Sequence, residues 1–154
     1  MAASRFEDPL KSDATTGIRT KSYAAERWAQ AVIGIIDVPI DPKTLGAWGK
    51  IVGASRGTLR AWCKAAHLGA KASLDFARLL RAVMQSRGHP SWDLQNLLDI
   101  VDERTVRHLL YRAGLSDVHP YGTPLDPDTF LTRQRLIPDE TARTAVAQLL
   151  SEHT

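Results

Sequence analysis

Apolar residues recur along this chain at helical spacing, and one such pattern occurs twice, 47 positions apart. The first copy runs Ser55-Arg56-Gly57-Thr58-Leu59-Arg60-Ala61-Trp62-Cys63-Lys64-Ala65-Ala66. The second runs Asp102-Glu103-Arg104-Thr105-Val106-Arg107-His108-Leu109-Leu110-Tyr111-Arg112-Ala113. Leu59, Trp62, Cys63 and Ala66 in one copy, and Val106, Leu109, Leu110 and Ala113 in the other, hold the i, i+3, i+4, i+7 positions of one helix face. Each copy opens with a side chain that accepts hydrogen bonds from the free amides of a helix start, Ser55 or Asp102. Each then repeats Thr, an aliphatic residue and Arg in register. What remains points outward and is small, polar or cationic.

The same periodicity predicts the surrounding elements. Residues 1–21 are polar, with charges of both signs, and read as a mobile arm. Ser22 caps a helix over Tyr23–Ile36, with Trp28, Val32, Ile35 and Ile36 on one face, and Asp37-Val38-Pro39 ends it. Asp41-Pro42 starts a short helix over 43–52, with Leu45, Trp48 and Val52 inward and Gly49 leaving room for the next helix to cross. With the first copy this makes a helix-turn-helix by spacing. Ser73 caps a linker helix through Met84, with Phe76, Leu79, Leu80, Val83 and Met84 on one stripe and Arg78 and Arg81 off it. Ser91 caps another short helix with Leu94, Leu97, Leu98 and Val101 inward, and Val101 runs straight into the second copy. After Gly114 the chain turns irregular, and Asp126-Pro127-Asp128 reads as a turn with a helix cap. A last helix over Pro138–Glu152 carries Ala142, Val146, Leu149 and Leu150 as a stripe with no obvious internal partner. No convincing strand appears. The reading is all-α: two helix-turn-helix subdomains, 22–86 with the linker helix and 87–116, followed by an irregular segment and helix over 117–154.

Charge sharpens the picture. The chain of 154 residues has a net charge of only +3. Residues 43–81, however, carry Lys43, Lys50, Arg56, Arg60, Lys64, Lys71, Arg78 and Arg81 against Asp75 alone. Such a cluster is expected of an electrostatic footprint for phosphates. Arg56 and Arg60 are candidates for base contacts, because a guanidinium can hydrogen-bond guanine at two points. Thr58 suits a thymine methyl, and Gly57 and Ala61 permit close approach. Lys50, Lys64 and Lys71 suit phosphates. On the second helix the outward set is Arg104, His108 and Tyr111, flanked by Thr105, Arg107 and Arg112. Asp102 and Glu103 complement the helix dipole but repel phosphate, which makes the first helix the stronger binder.

The order helix, helix-turn-helix, linker helix, helix-turn-helix resembles the DNA-binding domain of the AraC/XylS family of bacterial transcription regulators over about residues 23–115. Thr44-Leu45, Trp48-Gly49, Val52-Gly53, Ser55, Leu59 and Lys64 fall where that family has its Leu, small residue, Gly, Ser, Leu and basic position. Arg78-Leu79-Leu80-Arg81-Ala82 looks like its Arg-Leu-x-x-Ala linker segment. The second unit departs from the family: it lacks the usual Gly-Phe turn, and its turn reads about two residues short. The resemblance implies a standalone, two-headed, cytoplasmic regulator of double-stranded DNA, with RNA polymerase or another regulator as a further partner. The C-terminal helix is the place for a homodimer contact if the chain is not a monomer.

Other chemistry is sparse. One cysteine excludes an internal disulfide, and Cys63 reads as core. His67, His89, His108, His119 and His153 include no i, i+4 pair, so no metal is expected, and neither is a cofactor. No phosphate loop, nucleophile elbow or carboxylate pair suggests an enzyme. No apolar run marks a secretory signal or a membrane span. The rival readings are a helical protein–protein interaction module, favoured by the acidic C-terminal third, and an architectural or phage DNA-binding protein on the same fold.

Overall fold

The computed structural model describes residues 13–153, with side chains from Ser22 onward. In chain order the helices are α1 (Asp13–Ile33), α2 (Leu45–Val52), α3 (Arg56–Ala65), α4 (Ala70–Gln85), α5 (Leu94–Leu97), α6 (Glu103–Arg112), α7 (Pro127–Arg133) and α8 (Glu140–His153). No strand occurs among the described residues, and the chain is all-α. None of these helices is long and apolar enough to cross a membrane.

Helix α4 lies in the interior, packed against α2, α3 and α7. Every residue from Ser73 to Met84 is buried, so this stretch has no solvent face. A helix buried all round is normally apolar all round, yet this one carries Asp75, Arg78 and Arg81. Arg78 Nε donates to Asp41 Oδ2, and its Nη2 to the Leu98 carbonyl at 2.9 Å. Arg81 donates from Nε and Nη2 to the Val38 carbonyl at 2.9 and 2.8 Å, and from Nη1 to the Leu97 carbonyl at 2.8 Å. Asp41 Oδ1 lies 3.6 Å from Arg81 Nη1.

Two sequence expectations change here. Arg78 and Arg81 are not surface cations; they are 7% and 2% exposed. Asp41 does not start a helix. Its side chain is wholly buried between the guanidiniums, and α2 begins instead after Thr44, whose hydroxyl accepts from Ala47 N at 3.0 Å. The cause is electrostatic. Guanidiniums buried without a counter-charge cost several kcal/mol each, and Asp41 is the carboxylate in reach. Burial raises the Asp41 carboxyl above its ordinary value against the pull of Arg78 and Arg81, and lowers Arg81 below the usual guanidinium value.

Apolar packing surrounds that node. Trp28 of α1 stacks on Phe76 of α4, which stacks in turn on Phe130 of α7, each pair with ring centroids 5.6 Å apart. Trp48 Nε1 donates to the Ala31 carbonyl at 2.9 Å and ties α2 to α1. The inward sets predicted for the repeated helices are buried, except that Trp62 is half-buried. The likeness of the two copies runs past the helices themselves. Leu68 N donates to Cys63 O and Leu115 N to Leu110 O, both at 2.8 Å, across left-handed His67 (φ 63°) and Gly114 (φ 76°). These are the long closing bonds of a Schellman motif.

The turns before the two copies differ. Between α2 and α3 the left-handed residue is Gly53 (φ 73°), followed by Ala54 and the cap Ser55. A Cβ at Gly49 would lie 2.2 Å from the Ala54 carbonyl oxygen, so only glycine lets this turn fold so tightly. Between α5 and α6 the left-handed residue is Asp99 (φ 50°), and Ile100 and Val101 precede the cap Asp102. This turn is therefore not shortened; between the helix ends it takes five residues, 98–102, against three, 53–55, in the first. Gln95 Nε2 bridges it to the Val101 carbonyl at 2.6 Å, and Val101, expected inward, is 95% exposed. Helix α5 starts after Asp93 rather than Ser91. Trp92 N and Leu94 N instead donate to the carbonyls of Gly122 and Pro120 at 3.1 and 2.9 Å. The segment following α6 thus holds the start of α5 extended.

The ends also differ from expectation. Helix α1 begins at Asp13, not Ser22, and the first twelve residues of the expected arm lie outside the described residues. Helix α4 begins at Ala70; Ser73 lies inside it, its hydroxyl donating to Gly69 O at 2.6 Å. Asp126 caps α7, as the turn reading has it, accepting from Thr129 N at 2.9 Å. Helix α8 starts two residues after Pro138, and its Ala142, Val146 and Leu150 are buried as it packs along α1. Three of the four stripe residues therefore have an internal partner in α1, while Leu149 is half-buried.

The Gly49 contact gives a direct test. Gly49→Ala should lower stability by about 1–3 kcal/mol, the cost of overpacking against a fixed neighbour. Gly57→Ala on exposed α3, whose nearest neighbour is the Ser55 hydroxyl at 3.7 Å, should gain about 0.5–1 kcal/mol. Thermal denaturation reads both, and an unchanged melting temperature for Gly49→Ala would contradict the close crossing.

Candidate nucleic-acid interface

The exposed face of α3 follows from its buried one. With Leu59 and Cys63 inward, Arg56, Arg60 and Lys64 fall at i, i+4 and i+8 on one outward stripe, and all three are exposed. They cover about 12 Å along the helix axis at 1.5 Å per residue. Gly57 and Ala61 lie beside them, also exposed, and keep the surface low. Lys50, in the last turn of α2, is exposed as well. Among the described residues, no ion-pair partner occurs for Lys50, Arg56, Arg60 or Lys64. A concavity of 400 Å³ lined by Thr44, Leu45, Gly46, Arg56 and Arg60 separates the start of α2 from this stripe.

Helix α3 opens on a neutral cap. Ser55 Oγ accepts from Thr58 N at 3.0 Å and lies 3.0 Å from Thr58 Oγ1. On α6 only the hydroxyl contact recurs, Thr105 Oγ1 donating to Asp102 Oδ2 at 3.4 Å, while the cap itself accepts from Arg104 N at 2.9 Å. The Thr common to both copies is thus accounted for by capping: Thr58 is half-buried, and its hydroxyl is held by Ser55.

The remaining cations divide. Lys71, expected on phosphate, lies 3.3 Å from Asp75 Oδ1, and Arg112 Nη2 lies 3.1 Å from Asp75 Oδ2. Asp75 is 1% exposed, so Arg112 is held by an inward-pointing carboxylate. Arg107 Nε pairs with Glu103 four residues earlier at 2.6 Å. Lys43 pairs with Asp99 at 3.0 Å. On α6 this leaves Arg104, His108 and Tyr111 exposed, with Thr105 beside them. The eight cations of residues 43–81 therefore reduce to four on the surface without a carboxylate partner among the described residues.

One residue outside the sequence reading joins the site. The Arg27 guanidinium of α1 lies 5.3 Å from the centre of the Trp62 ring on α3 and 5.9 Å from that of Tyr23. Such stacking is the cation–π arrangement, and it places an exposed cation at the flank of α3. The four-residue Tyr23–Arg27 spacing was visible in the sequence; the crossing of α1 over α3 was not.

Cys63 sits beneath this surface. Burial pushes its thiol above the ordinary value, and its sulfur lies 3.5 Å from Ser73 Oγ, as suits packing rather than nucleophilic attack. Among the described residues no group of His, Cys, Asp or Glu is arranged to hold a metal ion. No protein-family model, curated protein or solved structure matches this chain.

Ion pairing predicts different costs for similar substitutions. Arg112→Ala leaves Asp75 with only Lys71 and should cost about 1–3 kcal/mol, whereas Arg104→Ala should stay within about 0.5 kcal/mol. Urea denaturation of the two variants distinguishes them, and equal midpoints would remove Arg112 from the structural role.

Proposed function

We propose that the chain binds double-stranded DNA as a sequence-specific transcription regulator, with α3 as the principal reading helix and α6 as a second, weaker one. In this reading α2 with α3 and α5 with α6 act as helix-turn-helix units joined by α4, the arrangement of the AraC/XylS-type regulators that the sequence resembles. The observation that carries the proposal is the stripe Arg56, Arg60 and Lys64: exposed cations with no carboxylate partner among the described residues, on a helix buried along its other face. A folded chain neutralises cations with its own carboxylates where they are in reach, as Asp41 and Asp75 do here. A stripe left unpaired suits an external polyanion. Gly57 and Ala61 between the cations allow backbone-close approach to a groove floor, which a patch for protein contacts does not require. Arg60 is the leading candidate for a base contact, Lys50 and Lys64 for phosphates. On α6, Arg104 and His108 are the candidates, with Glu103 drawing Arg107 away.

The charge distribution sets the expected salt dependence. With Lys50, Arg56 and Lys64 reaching about three phosphates, log K should fall against log salt with a slope of roughly −3. Arg60→Ala should cost about 1–3 kcal/mol on the preferred sequence and relax one position, while Lys64→Ala weakens all sequences alike. Fluorescence anisotropy on a duplex selected from a random library reads both effects. A salt-insensitive complex, or no selected duplex at all, would refute the proposal and favour a protein-binding surface.

A further inference from the structure

Three side chains on one face of α4 reach outward to fixed carbonyls, and two of them touch both halves of the molecule. Arg78 joins Asp41, in the segment before α2, to the Leu98 carbonyl that ends α5. Arg81 joins the Val38 carbonyl on the same side to the Leu97 carbonyl on the other. Gln85, one turn on, donates only toward the first side, to Ile36 O at 2.9 Å and Val38 O at 3.0 Å. Asp41 is the carboxylate that balances the two guanidiniums. The hydrophobic effect that buries these helices is not directional, and ridge-and-groove packing leaves a spread of crossing angles. A guanidinium fork is planar and rigid, so each Arg fixes distance and angle together.

We propose that Arg78 and Arg81 are positioning residues that set the separation and rotation of α6 relative to α3, and so the spacing at which two DNA half-sites are accepted. This rests on the DNA-binding reading above. Neither side chain reaches the surface, and neither contacts DNA; they act by holding the segment before α2 and the end of α5 on one rigid helix. The proposal separates Arg81 from Gln85, although both are polar groups on α4 that bond to the Val38 carbonyl. Arg81 spans the two halves and Gln85 does not.

The test uses duplexes carrying the half-sites selected by the wild-type protein, with zero to three base pairs inserted between them. Two added base pairs rotate one half-site by about a fifth of a helical turn. They should weaken wild-type binding on the order of 10–100-fold, through loss of simultaneous engagement. Arg81→Lys keeps the charge opposite Asp41 but cannot reach both carbonyls, and it should flatten this profile to within about threefold. Arg78→Lys should do the same and serves as the second variant if Arg81→Lys fails to fold. Gln85→Met should keep the wild-type spacing profile whatever it does to stability. A folded Arg81→Lys or Arg78→Lys protein with the wild-type profile overturns the proposal, as does a flattened profile for Gln85→Met alone.

A measurement without DNA keeps the two readings apart. Spin labels at Ala61→Cys on α3 and Thr105→Cys on α6, both exposed positions in a chain whose own Cys63 is buried, report the separation directly. One narrow distance distribution is expected for the wild-type background and for Gln85→Met, and a broadened or shifted one for Arg81→Lys and Arg78→Lys. If no duplex is bound, the functional reading fails while this distance still decides the role of the two arginines. Superimposable distributions in all variants would overturn it.

Discussion

The structure depends on one carboxylate shared by two buried guanidiniums. Asp41 sits between Arg78 and Arg81, and those arginines also donate to the Val38 carbonyl before α2 and the Leu97 and Leu98 carbonyls at the end of α5. Removing water from three charges costs much of what their attraction returns, so such a node adds little net stability over an apolar replacement. Its contribution is direction. Polar groups that must be bonded once buried admit few arrangements of the segments that bond them, and here those segments belong to both helical pairs. Helix α4 can therefore be buried over twelve consecutive residues and still hold its neighbours at defined angles.

The same node decides what the surface looks like. Cations in residues 43–81 meet three fates. Arg78 and Arg81 are consumed inside by Asp41; Lys71 is drawn to Asp75 and Lys43 to Asp99. Lys50, Arg56, Arg60 and Lys64 remain on the surface. Three of these four lie on a single stripe of α3. The interior thus takes both α4 arginines, and the cations left unpaired concentrate on α3. The second copy is built on the same plan but ends with less free charge, because Glu103 and Asp75 hold Arg107 and Arg112. An asymmetric pair of cationic helix faces is the natural consequence.

Much of this was legible in the sequence, for a physical reason. The periodicity of the repeated helices records which side chains face the core, and Leu59, Cys63, Val106, Leu109 and Leu110 lie where that spacing puts them. The caps Ser55, Asp102 and Asp126 were equally readable, since capping is local chemistry. Arg78 and Arg81 were not, because a charged residue on a helix reads as surface unless its counter-charge is known, and Asp41 is 37 residues away from Arg78. Val101 was misplaced for a related reason: its spacing from Leu97 and Leu98 continues the stripe, but left-handed Asp99 breaks the helix between them. The stripe of α8 was seen without its partner, since the pairing of α8 with α1 joins opposite ends of the chain. Local patterns encode faces; long-range ion pairs and helix packing decide which faces stay open.

The proposed DNA-binding surface comprises the open face of α2 and α3, with Lys50, Arg56, Arg60 and Lys64, and more weakly that of α6. Amide chemical shifts of the full chain, followed by NMR as a duplex is added, test it most directly. The account predicts shifts concentrated at residues 44–64 and, more weakly, at 102–111, with the α1–α8 face unchanged. Shifts centred on that face, or spread evenly over the molecule, would contradict it.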